Sequence, residues 1–82
     1  MIRVSSVVAE PEFRLALTFS NRERRCFDMR PYLHLPVYRR LENPGFFALA
    51  QVDYGTVVWP GEIDIAPETL YDRSVLLSVL VK

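Results

Sequence analysis

The chain has one histidine, His34, and one cysteine, Cys26, so a nucleophile–base pair has a single possible combination. His34 lies among Pro31, Leu33, Leu35 and Pro36, a loop setting in which a histidine without chemical duty is the favoured reading. Cys26 follows Arg24 and Arg25, and neighbouring cations can activate a thiol. A lone cysteine in an alternating segment is nevertheless more often a small apolar packing residue. One Cys and one His fall short of a structural zinc set, so no metal and no cofactor is expected.

Glu62 and Asp64 come closest to paired carboxylates for acid–base work, yet two acids in a polar loop are ordinarily just solvated. Asp64 stands three residues ahead of Pro67, placed to satisfy amide donors at a helix start. Asp28 precedes Arg30-Pro31 and is expected to tether that turn. Trp59 beside Pro60 either closes the core or lines a shallow pocket, with packing the favoured role. Arg22, Arg24 and Arg25, with Arg39 and Arg40, form the one local basic cluster and could meet a phosphate or an acidic partner. No aromatic platform accompanies them, which favours a solvated hairpin edge. Gly45, Gly55 and Gly61 each stand alone, so there is no phosphate-cradling loop.

These side chains must be positioned by a chain of 82 residues, half of them hydrophobic. That composition suits one globular domain of modest stability. Ten Lys+Arg balance ten Asp+Glu, which leaves no global field to hold a nucleic acid or an anionic membrane and permits self-association. The single cysteine and a start, Met1-Ile2-Arg3-Val4, without signal-peptide marks lead to the expectation of a cytoplasmic protein. The longest apolar run, Val75 to Val81, is far below the ~20 residues of a membrane crossing.

Period-two alternation marks the strands. Ile2 to Ala9 reads as the first, with Ile2, Val4 and Val8 on one face and Val7 on the other. Phe13, Leu15, Leu17 and Phe19 alternate with Arg14, Ala16 and Thr18 in the clearest strand of the chain. Ser20-Asn21-Arg22 reverses it into a third strand near Glu23 to Met29. Pro31 and Pro36 allow only short turns, and Val37 to Leu41 fits a single helical turn. Asn43-Pro44 opens a brief helix anchored by Phe47. Ala50 to Tyr54 and Thr56 to Trp59 form a second hairpin about Gly55. Pro67 starts a last short helix through Tyr71, and the aliphatic tail from Ser74 fits a strand or a helix end, its valines favouring a strand. The fold class is α+β: a small antiparallel β-meander of two hairpins with short helices packed on one face. Residues 1–82 form one domain, with 1–73 as core and 74–82 as an apolar C-terminal extension.

The segments Leu15 to Asn21, Phe27-Asp28-Met29, Leu41 to Pro44 with Phe47, Val52, Thr56 to Pro60 and Ile63 to Tyr71 carry a resemblance. The most specific piece is a strand ending in Trp59-Pro60 followed by Asp64-Ile65-Ala66-Pro67-Glu68-Thr69-Leu70-Tyr71. In this order of features the chain resembles the small bacterial proteins of the DUF2442 family. The resemblance implies an α+β fold of meandering antiparallel strands, no known enzyme activity, and partnership with small neighbouring proteins in toxin–antitoxin-like pairs. It also implies occasional fusion to a helix-turn-helix domain, which is not expected in this chain. Family members tend to carry Gly where this chain has Arg22, so Asn21 is expected to take any positive φ in that turn, or the turn differs.

The leading expectation is therefore a non-catalytic interaction module or antitoxin-like accessory protein, with a protein partner or a second copy of itself. Trp59, Asp64, Tyr71, Arg24 and Arg25 are its candidate contact or pocket residues. An alternative is a small-ligand or enzymatic site near Trp59 and Asp64 using His34 or Cys26, and a weaker one is DNA association through the arginine hairpin. No membrane partner is expected, and nucleic acid is not expected without a further DNA-binding domain.

Overall fold

The structure is a computed structural model that describes residues 2–80. Among the described residues, seven strands form two antiparallel sheets around one apolar core. The first sheet has the order β1-β2-β3-β7, built from β1 (Val4–Glu10), β2 (Arg14–Phe19), β3 (Glu23–Asp28) and β7 (Val75–Val79). The second has the order β4-β5-β6, built from β4 (Gln51–Asp53), β5 (Thr56–Trp59) and β6 (Ile63–Ile65). Two α-helical segments, α1 (Pro44–Phe47) and α2 (Pro67–Asp72), and two 310 helices, Arg30–Tyr32 and Pro36–Glu42, complete the body.

β2 is the centre of the first sheet because its alternation leaves no ambiguity about which face is buried: Leu15, Leu17 and Phe19 have essentially no exposed surface. β1 departs from the expected alternation. Val4 pairs with Phe19 but Ser6 pairs with Thr18, so the strand carries one extra residue there. The Ser5 hydroxyl donates to the Thr18 carbonyl at 3.0 Å across this bulge. The slip moves Val7 and Ala9 onto the core side, opposite Leu17 and Leu15, and turns Val8 out to solvent. Phe13 also lies outside the strand assigned to it. Glu12 and Phe13 both adopt left-handed backbone, φ 64° and 59°, and the Phe13 ring meets Phe47 edge-on at 5.4 Å.

The β2–β3 turn is a three-residue loop in which Arg22, and not Asn21, takes positive φ (72°). The Arg22 amide donates to the Phe19 carbonyl at 2.9 Å, and Asn21 Oδ1 accepts from the Glu23 amide at 3.1 Å. Because the left-handed region costs a Cβ-bearing residue ~1–2 kcal/mol and glycine much less, Arg22→Gly is expected to raise stability by about 0.5–1 kcal/mol after its larger unfolded-state entropy is counted. A thermal melt should show a rise of about 4 °C; an unchanged or lower Tm would contradict this account of the turn.

Each short helix has a proline at its first or second position, which removes a donor that has no partner there anyway. The 310 segment Pro36–Glu42 is longer than the single turn expected over Val37 to Leu41, and its Leu41 is fully buried. Asn43 caps α1 as expected, its Oδ1 accepting from the Phe46 amide at 3.1 Å. The second sheet has a third strand that sequence reading placed in loop. Ile63 and Ile65 pair with Trp59 and Val57 and share their buried face, while Asp64 points to solvent. The three residues of this strand are too few for alternation to stand out, and the pairing comes from β5. The sheets meet at β1, where the Val4 amide donates to the Gly55 carbonyl at 2.9 Å. The tail is a strand: β7 pairs antiparallel with β3. Val81 and Lys82, also assigned to the tail, lie outside the described residues.

Candidate functional site

The fold separates the residues singled out for chemistry. Trp59 is a core residue, 2% exposed, with its Nε1–H donating to the Phe47 carbonyl at 2.9 Å and its ring 5.9 Å from that of Phe47. Asp64 is exposed on β6 and does not cap α2, whose N-cap is Ala66 without a side-chain bond; only its backbone carbonyl is engaged, by the Tyr38 hydroxyl at 3.2 Å. His34 is exposed between the two 310 helices. Cys26 pairs with Ala16 and Val75, one position off the buried pair Leu15–Phe27, and so faces away from the core. Among the described residues no group of three or more His, Cys, Asp or Glu side chains is placed to hold a metal. A cleft of about 290 Å³ does exist, but it is lined by Ala9 to Phe13 and by Pro44, Phe47 and Ala48, with none of Trp59, Asp64, His34 or Cys26.

The arginines do not form one patch. Arg24 and Arg25 are consecutive in β3 and point to opposite faces. Arg39 pairs with Glu42 at 3.5 Å, and Arg40 lies over the Phe46 ring at 4.7 Å. Asp28 tethers its turn as expected, accepting from the Arg30 amide at 2.9 Å and from the Arg30 guanidinium at 2.8 Å.

Arg25 and Tyr71, by contrast, are brought together. The Arg25 guanidinium sits 4.1 Å above the Tyr71 ring, its Nε donates to Glu23 Oε1 at 2.8 Å and its Nη1 to the Ser74 carbonyl at 3.2 Å. Asn21 Nδ2 donates to the Tyr71 hydroxyl at 3.3 Å, the Ser74 hydroxyl donates to the Tyr71 carbonyl at 2.9 Å, and Phe19 meets the Tyr71 ring edge-on at 5.1 Å. Glu23, Asn21 and Ser74 were not foreseen; the readable signal was Glu23 two residues before Arg25 in one strand, which puts both on one face. The guanidinium is engaged by partners within the fold, and the arrangement acts as a clamp. It fixes the end of α2 and the first turn of chain before β7 against β3.

The clamp carries a pH signature. The Tyr71 hydroxyl, aided by Arg25 and opposed by partial burial, holds the Glu23 carboxyl below its ordinary 4.5, and Arg30 holds Asp28 below its ordinary 3.8. Both groups ionise more readily in the fold than in the unfolded chain. Their contribution is therefore complete above those ordinary values and is lost as pH falls through the lower folded values. Urea midpoints should be flat from pH 7 to 5 and fall below pH 4.5, with Glu23→Gln flattening part of the fall; an unaltered acid limb in that variant would remove Glu23 from the account.

The clamp leads to β7, and β7 is the unusual surface. Val75, Leu76, Leu77, Val79 and Leu80 are 68, 49, 56, 53 and 46% exposed. The strand is paired through its backbone on one side only, and both its faces are uncovered. The Leu80 amide donates to the Arg22 carbonyl at 2.8 Å, so the alternation of a strand turns the amide and carbonyl of Val79 outward. Other strand edges carry devices against pairing. β1 has its bulge, Glu10-Pro11 and the Gly55 contact, while β4 and β6 hold Asp53 and Asp64. β7 has only Ser78.

Residues 4–75 match the family model described as protein of unknown function (DUF2442). The chain belongs to the DUF2442 family. The DUF2442 match takes in both sheets and both helices but stops at the first residue of β7, so Leu76 to Leu80 lie beyond it. No curated protein and no solved structure matches the chain. Among the described residues of this DUF2442 protein, no helix is long and apolar enough to cross a membrane.

Proposed function

We propose that this DUF2442 protein is a non-catalytic interaction module, acting in the cytoplasm, that receives an extended aliphatic protein segment on β7 by strand addition. The observation that carries the reading is the uncharged, exposed edge from Val75 to Leu80 with an outward-facing main chain at Val79. Strand addition takes its affinity from main-chain hydrogen bonds and its selectivity from alternate side chains, and β7 offers both. The placement of His34 in a turn, Cys26 on β3 and Asp64 on β6, and the engagement of Arg25 by Glu23, Ser74 and Tyr71, weigh against an enzymatic reading. An antitoxin-like accessory role is a narrower form of the same proposal and rests on the family resemblance.

The test uses the full chain and a Leu77→Lys, Val79→Lys double variant, which adds charge to an exposed edge without touching the core. The wild type is expected to retain a stoichiometric protein, identified by mass spectrometry, that the variant loses. A second copy counts as that protein and is scored by mass. Equal retention by both chains, or no associated protein of either kind, overturns the proposal.

A further inference from the structure

Resting on that reading, we infer that the segment received by β7 is β7 of a second copy, joined antiparallel about a two-fold axis into one continuous eight-stranded sheet. Three observations single out this occupant. First, Val75 to Leu80 contains no charged residue, so antiparallel self-pairing brings no like charges together, the usual device by which edges reject their own kind. Second, the segment reads aliphatic in both directions. In any antiparallel register within Val75–Leu80, an aliphatic side chain meets either another aliphatic side chain or Ser78, which is the self-complementarity an isologous contact needs. Third, rows of side chains already run across the sheet to this edge. Val8, Ala16, Cys26 and Val75 lie side by side on the outer face through the pairs Val8↔Ala16, Ala16↔Cys26 and Cys26↔Val75. A second β7 extends that apolar row, where a charged partner strand would break it.

The area available sets the strength. The exposed aliphatic surface of one five-residue strand is on the order of a few hundred Å², below the ~800 Å² per partner of a stable complex. The dimer is therefore a weak one, with a Kd of roughly 10–100 μM.

Sedimentation equilibrium from about 1 to 500 μM, together with amide hydrogen exchange at both ends of that range, tests the inference. The wild type should rise from 9.5 kDa toward twice that mass, and the Val79 amide should exchange more slowly at the high concentration. Leu77→Lys with Val79→Lys should weaken association at least tenfold while leaving the circular dichroism spectrum unchanged. A mass of 9.5 kDa throughout overturns the second copy as occupant, and so does association that leaves the Val79 amide unprotected or is unaffected by the lysines. If a monomeric wild type still retains a different protein that the lysine variant loses, only this inference falls and strand addition on β7 stands; if neither is seen, both fall.

Discussion

Replacing Trp59 by alanine is expected to cost about 3–5 kcal/mol, the range for truncating a buried aromatic residue. The side chain is almost fully enclosed, bridges β5 to α1 through Phe47, and donates a hydrogen bond to the Phe47 carbonyl, which also accepts from the Ala50 amide. A domain of this length has a total stability on the order of 4–12 kcal/mol, so the variant should be largely unfolded or melt far below the wild type. Trp59→Phe separates the two contributions. It keeps most of the packing and removes the N–H, and should cost about 1–3 kcal/mol. If Trp59→Ala unfolds in urea at the wild-type midpoint, the residue is not part of the core, and a ligand-lining role for it would have to be reconsidered.

Leu70→Ala is expected to cost about 2–5 kcal/mol, with a distribution over the molecule that a simple core loss does not produce. α2 has six residues and no side-chain cap, far short of the ~12–15 residues at which an isolated helix becomes even marginal. It is held by the burial of Leu70 and by Tyr71 against Phe19 and Arg25. Loosening Leu70 should release Tyr71 and Ser74 from Arg25, and with them the anchor of β7. Amide exchange should accelerate most in α2 and β7 and least in β4, β5 and β6. A uniform acceleration would mean that the clamp does not couple α2 to the edge strand. Tyr71→Phe, which removes only the hydroxyl contacts, should cost no more than about 1 kcal/mol.

Sequence reasoning reached the elements whose signal is local. The alternation of Leu15, Leu17 and Phe19, the Asn43-Pro44 helix start, the packing role of Trp59 and the strand character of the tail all follow from nearest-neighbour chemistry, and the structure has each of them. The departures are places where a partner strand decides. The extra residue at Ser5 is set by pairing with Thr18 and Phe19, so Val7 and Val8 exchange faces. β6 exists because β5 recruits Ile63 and Ile65. Asp64 looked like a cap by its distance from Pro67, but in β6 its side chain is carried to the solvent face. Of the five candidate contact residues, Arg25 and Tyr71 meet, Trp59 is interior, and Arg24 and Asp64 face outward on different sheets. The edge strand that carries the proposal was visible as a run of aliphatic residues; that both its faces stay bare was not, because that depends on where β3 ends the covered part of the sheet.

The pairing of Arg25 with Leu76 spans most of the chain, and this gives assembly an order. Loop closure over such a separation comes late, since its entropy must be met before the contact returns anything. During synthesis and refolding, β3 itself is thus the unshielded margin, waiting for β7 to arrive. A foreign strand that reaches β3 first would occupy the seat meant for residues 75–79, so the nascent protein is most exposed to mispairing in the interval before β7 docks.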